Sequence, residues 1–215
     1  MSVIPDKSQK LQQQIEKAAQ LLQNGGVVAF PTDTVYGLGA SMNSAEAVEK
    51  IFMVKSRPRH MPLPILVGNI SQIEQLAAGI SQTARCLIKA FFPGAVTLVM
   101  PASDEVPPYL KTRENTIALR IPNHPVPLAL IAGIGTPIVG TSANLSGHPN
   151  PLTGREVKEQ LGARIELVIE GGRCSGTEST IIDVTGEVPI VLRKGTVSVS
   201  EIEKACGKVL TGNGG

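Results

Sequence analysis

The chain has 215 residues, which is enough for one ordinary domain and short for two full-sized ones. Its net charge of +2 argues against a general nucleic-acid coat, and its 3% of aromatic residues argue against broad base-stacking platforms. No apolar run approaches the roughly 18 residues of a membrane span, and the N-terminus has no apolar signal core, so a soluble, cytoplasmic protein without a membrane partner is expected.

Helices and strands alternate along the first part of the chain. The apolar spacing from Leu11 to Leu22 predicts a helix that Gly25 and Gly26 end, and Asn43 followed by Glu46 predicts the start of the next one. In chain order, the predicted elements are a helix at 11–22, a strand at 27–30, a helix from 43, a strand at 65–67, a helix at 81–91, and strands at 97–100 and 117–121.

The later part of the chain contains more strands in succession. The predicted elements are a helix at 127–132, a strand at 137–141, a helix at 154–161, strands at 167–170, 179–184 and 189–193, and a last helix with a capping box of Ser200 and Glu203. The interleaving predicts the α/β class, and the run of late strands predicts a mixed sheet. Polar residues follow several of these strands, where open α/β sheets usually bind ligands.

Common catalytic and metal-binding motifs are missing from the sequence. The three cysteines have no CxxC spacing and the three histidines have no metal-site spacing, so neither a disulfide framework nor a metal site is predicted. There is no P-loop, and no glycine triplet of a dinucleotide fingerprint. The segment from Gly140 to Asn144 almost matches a nucleophile elbow, but Asn144 replaces the final glycine.

Two polar segments in the first third of the chain could hold a ligand. FPTDTVYGLGA, at 30–40, places hydroxyl groups beside glycines after a buried strand, although a capped turn explains the same pattern. KSRPRH, at 55–60, places Lys55 and Arg57 at a predicted helix end, which suits either a polyphosphate clamp or a solvated basic terminus.

Further candidates follow in the second half. In GTSANLSGHP, at 140–149, Ser142 and Asn144 can donate hydrogen bonds to a phosphate or carboxylate, or form an ordinary turn. Arg120 lies among apolar strand residues, so it needs an anionic partner from the protein or from a ligand. Two further segments are weaker indications of a ligand site: GTESTIID, at 176–183, and VLRKG, at 191–195.

Taken together, these segments closely resemble the YrdC-like family of threonylcarbamoyl-AMP synthases. The resemblance rests on FPTDTVYGLGA, the K-x-R of KSRPRH, PLPILV, FFPGAVTLV, ALRIPNHP, GTSANLSG and STIIDVT in this order, and it covers about residues 10–205. It implies a twisted open α/β sheet with flanking helices and a basic concave face. The implied reaction joins L-threonine, bicarbonate and ATP into L-threonylcarbamoyladenylate and pyrophosphate, the first step towards threonylcarbamoyladenosine at position 37 of tRNA.

The resemblance also implies roles for single residues. It gives catalytic and ATP-binding roles to Lys55, Arg57, Ser142 and Asn144, further nucleotide contacts to Thr116 and Arg193, and L-threonine binding to Thr34, Arg120 and Ser179. Mg²⁺ is expected on the triphosphate without a dedicated protein cage. Positioned cations and neutral donors suit a displacement at phosphorus that needs no protein nucleophile.

The expected domain is a single one, at 10–207, between a lead-in at 1–9 and a flexible tail at 208–215. Because longer family members carry a second domain, this chain resembles the short form. Two other functions stay open. One is a tRNA- or double-stranded-RNA-binding module without catalysis. The other is a carbamoyltransferase of the hydrogenase-maturation type, which the missing CxxC pairs disfavour. Transfer proteins that act later on tRNA are further possible partners.

Overall fold

The computed structural model describes residues 6–212, which form seven α-helices, two short 3₁₀ helices (Pro108–Leu110 and Gly162–Arg164) and a sheet of ten strands. The helices are α1 (Lys7–Gln23), α2 (Ala45–Lys55), α3 (Ile70–Leu76), α4 (Gln82–Phe91), α5 (Pro125–Ile134), α6 (Gly154–Leu161) and α7 (Val199–Cys206). The strands are β1 (Val28–Phe30), β2 (Gly37–Ser41), β3 (Ile65–Leu66), β4 (Val96–Pro101), β5 (Thr116–Arg120), β6 (Ile138–Ser142), β7 (Leu167–Val168), β8 (Thr180–Asp183), β9 (Ile190–Arg193) and β10 (Leu210–Thr211).

The strands lie in one open sheet with the order β10-β9-β8-β4-β5-β3-β6-β2-β1-β7. Pairs β1–β7, β3–β5, β4–β8 and β9–β10 are parallel, and the other neighbours are antiparallel. The predicted α/β class with a mixed open sheet and flanking helices is confirmed. Within residues 6–212, no helix combines the length and apolar character needed to cross a membrane.

The two faces of the sheet are covered unequally. Alternate strand residues belong to two apolar clusters, and the larger one packs the sheet against α2, α3, α4, α6 and α7. The smaller cluster joins the opposite face to α1 and α5, and it includes Phe30, Leu66 and Ile138 but no residue of β4, β5 or β8. On those three strands this second face is therefore left without a helix, and it carries both polar side chains, such as Thr97 and Arg120, and apolar ones, such as Ile181.

Several boundaries differ from the sequence predictions. Ser44, not Asn43, caps α2 by accepting a hydrogen bond from the Ala47 amide at 3.2 Å. The capping box of α7 is formed by Ser198 and Glu201, so the predicted box at Ser200 and Glu203 is wrong. Strand β2 and helix α3 were not predicted. Helix α1 begins inside the expected lead-in, and β10 lies inside the expected flexible tail.

Gly39 lies where β2 crosses the aromatic ring of Phe30. A Cβ atom built on Gly39 would stand 2.6 Å from Ile138 Cγ2 and 2.8 Å from Phe30 Cε1. We expect Gly39→Ala to lower the free energy of unfolding by about 1–3 kcal/mol, because these buried side chains must shift. Gly186→Ala is the matched control in urea titrations, since its Cβ would meet nothing nearer than the Val188 carbonyl oxygen at 3.9 Å. Equal losses in the two variants would contradict the packing explanation.

Candidate active site

A cavity of about 420 Å³ opens on the sheet face that the smaller apolar cluster leaves uncovered. The strand register explains its position, because Leu66 pairs with Arg120 across β3 and β5, and Thr97 pairs with Ile181 across β4 and β8. All four side chains line the cavity. The residues predicted from the resemblance that also line it are Thr34, Arg57, Arg120, Ser142, Ser179 and Arg193. Six of the nine predicted site residues therefore share one cavity.

Arg120 lies at the end of β5 and its side chain is only 8% exposed. Its guanidinium donates to Gly94 O (2.9 Å), Thr34 Oγ1 (3.1 Å) and Asp33 Oδ1 (2.6 Å). Burial lowers the pKa of Arg120, and the Asp33 carboxylate opposes that shift. The anionic partner that sequence reasoning required is therefore a protein carboxylate. Because arginine has five N–H groups, two remain for a ligand.

The turn between β1 and β2 presents Thr34 to this cavity. Thr34 Oγ1 lies 3.0 Å from Thr32 Oγ1, whose hydroxyl donates to the Val35 carbonyl at 2.7 Å. A loop from the far part of the chain fastens the turn, since Ser175 Oγ donates to Asp33 O at 2.8 Å and the Gly176 amide donates to Thr34 O at 2.9 Å. The turn is thus fixed on both sides of Thr34.

Lys55, at the end of α2, lies behind the cavity and not in its lining. Its Nζ atom donates to Ser142 O (2.5 Å), Asn144 O (2.6 Å) and Asn144 Oδ1 (3.1 Å), and the residue is 1% exposed. Burial, with the charge of Arg57, lowers the pKa of Lys55 to about 7, and Glu178 opposes the shift. Three oxygen acceptors match the three hydrogens of the protonated amine, so the protonated form satisfies the turn.

The turn held by Lys55 follows β6 and carries Ser142 and Asn144. Ser142 Oγ donates to Asn144 Oδ1 at 2.6 Å, and Asn144 Nδ2 donates to His148 O at 2.7 Å. Asn144 is buried outside the cavity lining, whereas Ser142 reaches it. Lys55 and Asn144 therefore hold the turn that carries Ser142 into the cavity lining.

Arg57 enters the cavity because α2 ends sharply at Ser56. Ser56 adopts the left-handed conformation (φ 52°, ψ 41°), which turns the chain out of the helix. The Arg57 guanidinium donates to the carbonyls of Met61 (3.3 Å) and Pro62 (3.0 Å) in its own loop. Over residues 6–212, no carboxylate forms a salt bridge with it, so its charge remains available to an anion. Arg59, by contrast, pairs with Glu49 outside the cavity.

Arg193 and Ser179 form the opposite wall of the cavity. Arg193 donates from Nε and Nη2 to Ser179 O (3.2 and 3.0 Å) and from Nη1 to Glu178 Oε1 (3.0 Å). Ser179 Oγ lies 2.9 Å from Thr97 Oγ1. The charge of Arg193 lowers the pKa of both Arg57 and Arg120, in addition to the larger effect of burial. Three arginines thus share a cavity whose chemistry suits anions.

Thr116 is a predicted site residue that lies outside the cavity lining. It is at the opposite end of β5 from Arg120, where its hydroxyl lies 2.8 Å from Thr112 Oγ1. Sequence reasoning missed Thr97, Glu178 and His60, which all line the cavity. Thr97 was detectable, since it is the polar residue in an otherwise apolar strand. Glu178 and His60 lie within the candidate segments GTESTIID and KSRPRH, but nothing in the sequence distinguishes them from their neighbours.

The chain is similar to a known protein family, to a curated protein sequence and to a solved structure. The family model Sua5_yciO_yrdC, described as telomere recombination, matches residues 20–195. Threonylcarbamoyl-AMP synthase of Bacillus subtilis (strain 168) is 42% identical over 198 residues, which are 91% of this chain and 57% of that protein. The crystal structure of P. abyssi Sua5 complexed with L-threonine is 42% identical with a TM-score of 0.89, over 92% of this chain and 58% of that one.

A shorter protein also has this fold. E. coli YciO is 29% identical with a TM-score of 0.83, and the match covers 89% of this chain and 93% of that one. The chain described here therefore spans less than two thirds of the B. subtilis and P. abyssi proteins, but matches nearly all of YciO.

Proposed function

The chain belongs to the Sua5/YciO/YrdC family, and on this premise we propose that it is a threonylcarbamoyl-AMP synthase. It joins L-threonine, bicarbonate and ATP to form L-threonylcarbamoyladenylate and pyrophosphate. The observation that carries the proposal is the single cavity lined by Arg120, Arg57 and Arg193, since it offers cations to a carboxylate and to phosphates at once.

The threonine half of the cavity is centred on Arg120. Its two unused N–H groups are suited to the amino-acid carboxylate, and Thr34 and Ser179 offer hydroxyls to the polar groups of the substrate. The threonine ammonium and bicarbonate combine to give the N-carboxy carbamate, with release of one water and one proton. A carbamate oxygen then attacks the α-phosphorus, and pyrophosphate leaves.

The nucleotide half contains Arg57, Arg193 and the Ser142 hydroxyl. These groups stabilise the charge that develops on the phosphate oxygens as the leaving group departs. Lys55 and Asn144 hold the turn that positions Ser142.

Mg²⁺ enters this proposal as part of the ATP substrate. Between residues 6 and 212, no three His, Cys, Asp or Glu side chains are grouped to hold a metal ion, and Glu178 is the carboxylate in the described cavity lining. The side chains therefore suit a metal that the phosphates bring with them. The product would pass to tRNA through transfer proteins, which we propose as the partners of this chain.

The decisive experiment supplies the purified protein with L-threonine, bicarbonate, ATP and Mg²⁺. Mass spectrometry should find threonylcarbamoyl-AMP, with pyrophosphate released in equal amount and no turnover when threonine is omitted. Tight tRNA binding without this product would favour the RNA-binding module. Turnover with carbamoyl phosphate in place of bicarbonate would favour the carbamoyltransferase.

Arg57→Ala should lower kcat/KM at least tenfold in this assay, equivalent to about 1.4 kcal/mol of transition-state stabilisation. The reason is that Arg57 carries a charge in the cavity that no salt bridge within residues 6–212 neutralises. Arg59→Ala is the matched control, because Arg59 is two residues away but pairs with Glu49 outside the cavity lining. Unchanged kinetics in Arg57→Ala would remove it from the site.

A further inference from the structure

Two arginines of the cavity have resident carboxylates, and these occupy different positions. Asp33 lies behind Arg120, outside the cavity lining, and its side chain is 15% exposed. Glu178 lines the cavity itself, its side chain is 33% exposed, and its Oε1 atom accepts from Arg193 Nη1 at 3.0 Å. Asp33 is therefore a mostly buried partner outside the cavity lining, whereas Glu178 is a partner inside the cavity.

Arg193 does not depend on Glu178 for its position. Its Nε and Nη2 atoms bind the Ser179 carbonyl, and Nη2 also lies 3.2 Å from Ser179 Oγ. The Glu178 backbone is held separately, since its carbonyl accepts from the Thr196 amide at 2.9 Å. Among the hydrogen bonds of the described chain, the one to Arg193 is the only bond of the Glu178 carboxylate. That carboxylate can therefore swing away while both backbones stay in place.

The charges around Glu178 are those that the proposed nucleotide site needs. Arg193 contacts the Glu178 carboxylate directly. The negative charge of Glu178 also acts on Arg57 and Lys55. A phosphate group that approaches Arg57 and Arg193 therefore meets a carboxylate that is already paired with Arg193. The phosphate and the Glu178 carboxylate cannot both bind the same edge of the Arg193 guanidinium.

We infer that Glu178 is a displaceable counter-ion that occupies a phosphate position in the ligand-free cavity and so limits nucleotide affinity. The inference rests on the proposed function, because it takes the triphosphate as the ligand. A triphosphate bears enough charge to displace the carboxylate, whereas a singly charged anion gains less from the exchange. Glu178 thereby favours polyanions over bicarbonate or chloride at the phosphate half of the site.

The test is calorimetric titration of Glu178→Gln with α,β-methylene ATP, with and without Mg²⁺. We expect the dissociation constant to fall about three- to tenfold under both conditions, and the gain to shrink at high salt because the pair is partly exposed. Glu187→Gln makes the same change in net charge in the exposed turn between β8 and β9, and it should leave the affinity unchanged. The threonine affinity should not change in either variant.

Three results would overturn the inference. Weaker nucleotide binding only in the presence of Mg²⁺ would make Glu178 a metal ligand, and weaker threonine binding would place it beside the substrate amine. Unchanged nucleotide affinity would mean that the phosphates do not displace it. Glu178→Ala serves as a second variant if thermal melting finds Glu178→Gln misfolded. If the wild-type protein binds no nucleotide, the proposed function itself fails, which is a separate outcome.

Discussion

Replacing Lys55 by methionine is expected to lower kcat/KM at least tenfold and to lower the free energy of unfolding by about 2 kcal/mol. Methionine fills similar space but leaves the carbonyls of Ser142 and Asn144 without their donor, and an unpaired buried polar group costs about 1–3 kcal/mol. Steady-state kinetics and urea titrations measure the two effects. Lys50→Met is the matched control on the same helix, because Lys50 is 44% exposed and lies outside the cavity.

The same variant tests the protonation of Lys55. Its folded pKa of about 7 lies below the ordinary value of 10.5, so between these pH values the unfolded chain binds the additional proton. The unfolding free energy of the wild type, relative to Lys55→Met, should therefore rise as pH increases from 7 towards 10.5. Parallel curves for the two proteins would contradict the burial of a titrating amine. Wild-type activity in Lys55→Met would contradict its role in holding the turn.

Arg120→Ala is expected to raise the threonine dissociation constant at least tenfold and to change the ATP dissociation constant much less. The buried guanidinium is fixed by Gly94, Thr34 and Asp33, and its remaining N–H groups suit a carboxylate. Calorimetric titration with each substrate separates the two effects. Retained threonine affinity with lost ATP affinity would assign Arg120 to the nucleotide half of the cavity.

A stability control must accompany this variant, because Arg120→Ala leaves the buried Asp33 carboxylate without its positively charged partner. Breaking a buried ion pair by removing one partner costs about 3–5 kcal/mol, which alone can weaken binding. The double variant Asp33→Asn with Arg120→Met removes both charges and should recover most of the stability. If threonine binding also recovers, the carboxylate site proposed for Arg120 is wrong.

Long amphipathic helices were predictable because their apolar periodicity extends over many residues, and buried strands because they are short runs of apolar residues. Helix α6 was predicted with its observed bounds, and the other predicted elements differ mainly at their ends. Strand β2 was missed since GLGAS has no large apolar residue except Leu38. Its strand conformation depends on close packing of glycine against Phe30 and Ile138, which is a tertiary property.

The two cap errors have a common physical cause. Ser198 and Ser200 each precede a glutamate by three residues, so both satisfy the local pattern of a capping box. The observed choice buries Ile202 completely in the core. At α2 the ambiguity is between two adjacent residues, Asn43 and Ser44, which are both of a type that caps helices. Local hydrogen bonding alone cannot distinguish adjacent caps when packing decides which residue faces inward.

The candidate site was identified from the order of its motifs, but its internal geometry was not. A lysine at a helix C-terminus is ordinarily solvated, so nothing in KSRPRH predicted that Lys55 would be buried beneath the β6 turn. The Asp33–Arg120 pair joins residues 87 positions apart, and single-sequence patterns carry no signal for such a contact. Lys55 and Arg57 are two residues apart in one motif, but Lys55 is buried behind the cavity and Arg57 lies in its lining.

The two halves of the cavity differ in how firmly the protein holds the arginine that each contains. Arg120 extends from a strand with hydrogen-bonded neighbours on both sides, and three acceptors fix its guanidinium before any substrate arrives. Arg57 extends from a loop, and its guanidinium is held by carbonyls of that same loop. Ligand binding loses less conformational entropy at a rigid group than at a mobile one. In the proposed reaction, threonine would therefore bind at a preorganised guanidinium, whereas the nucleotide would bind at one that is positioned by contacts within its own loop.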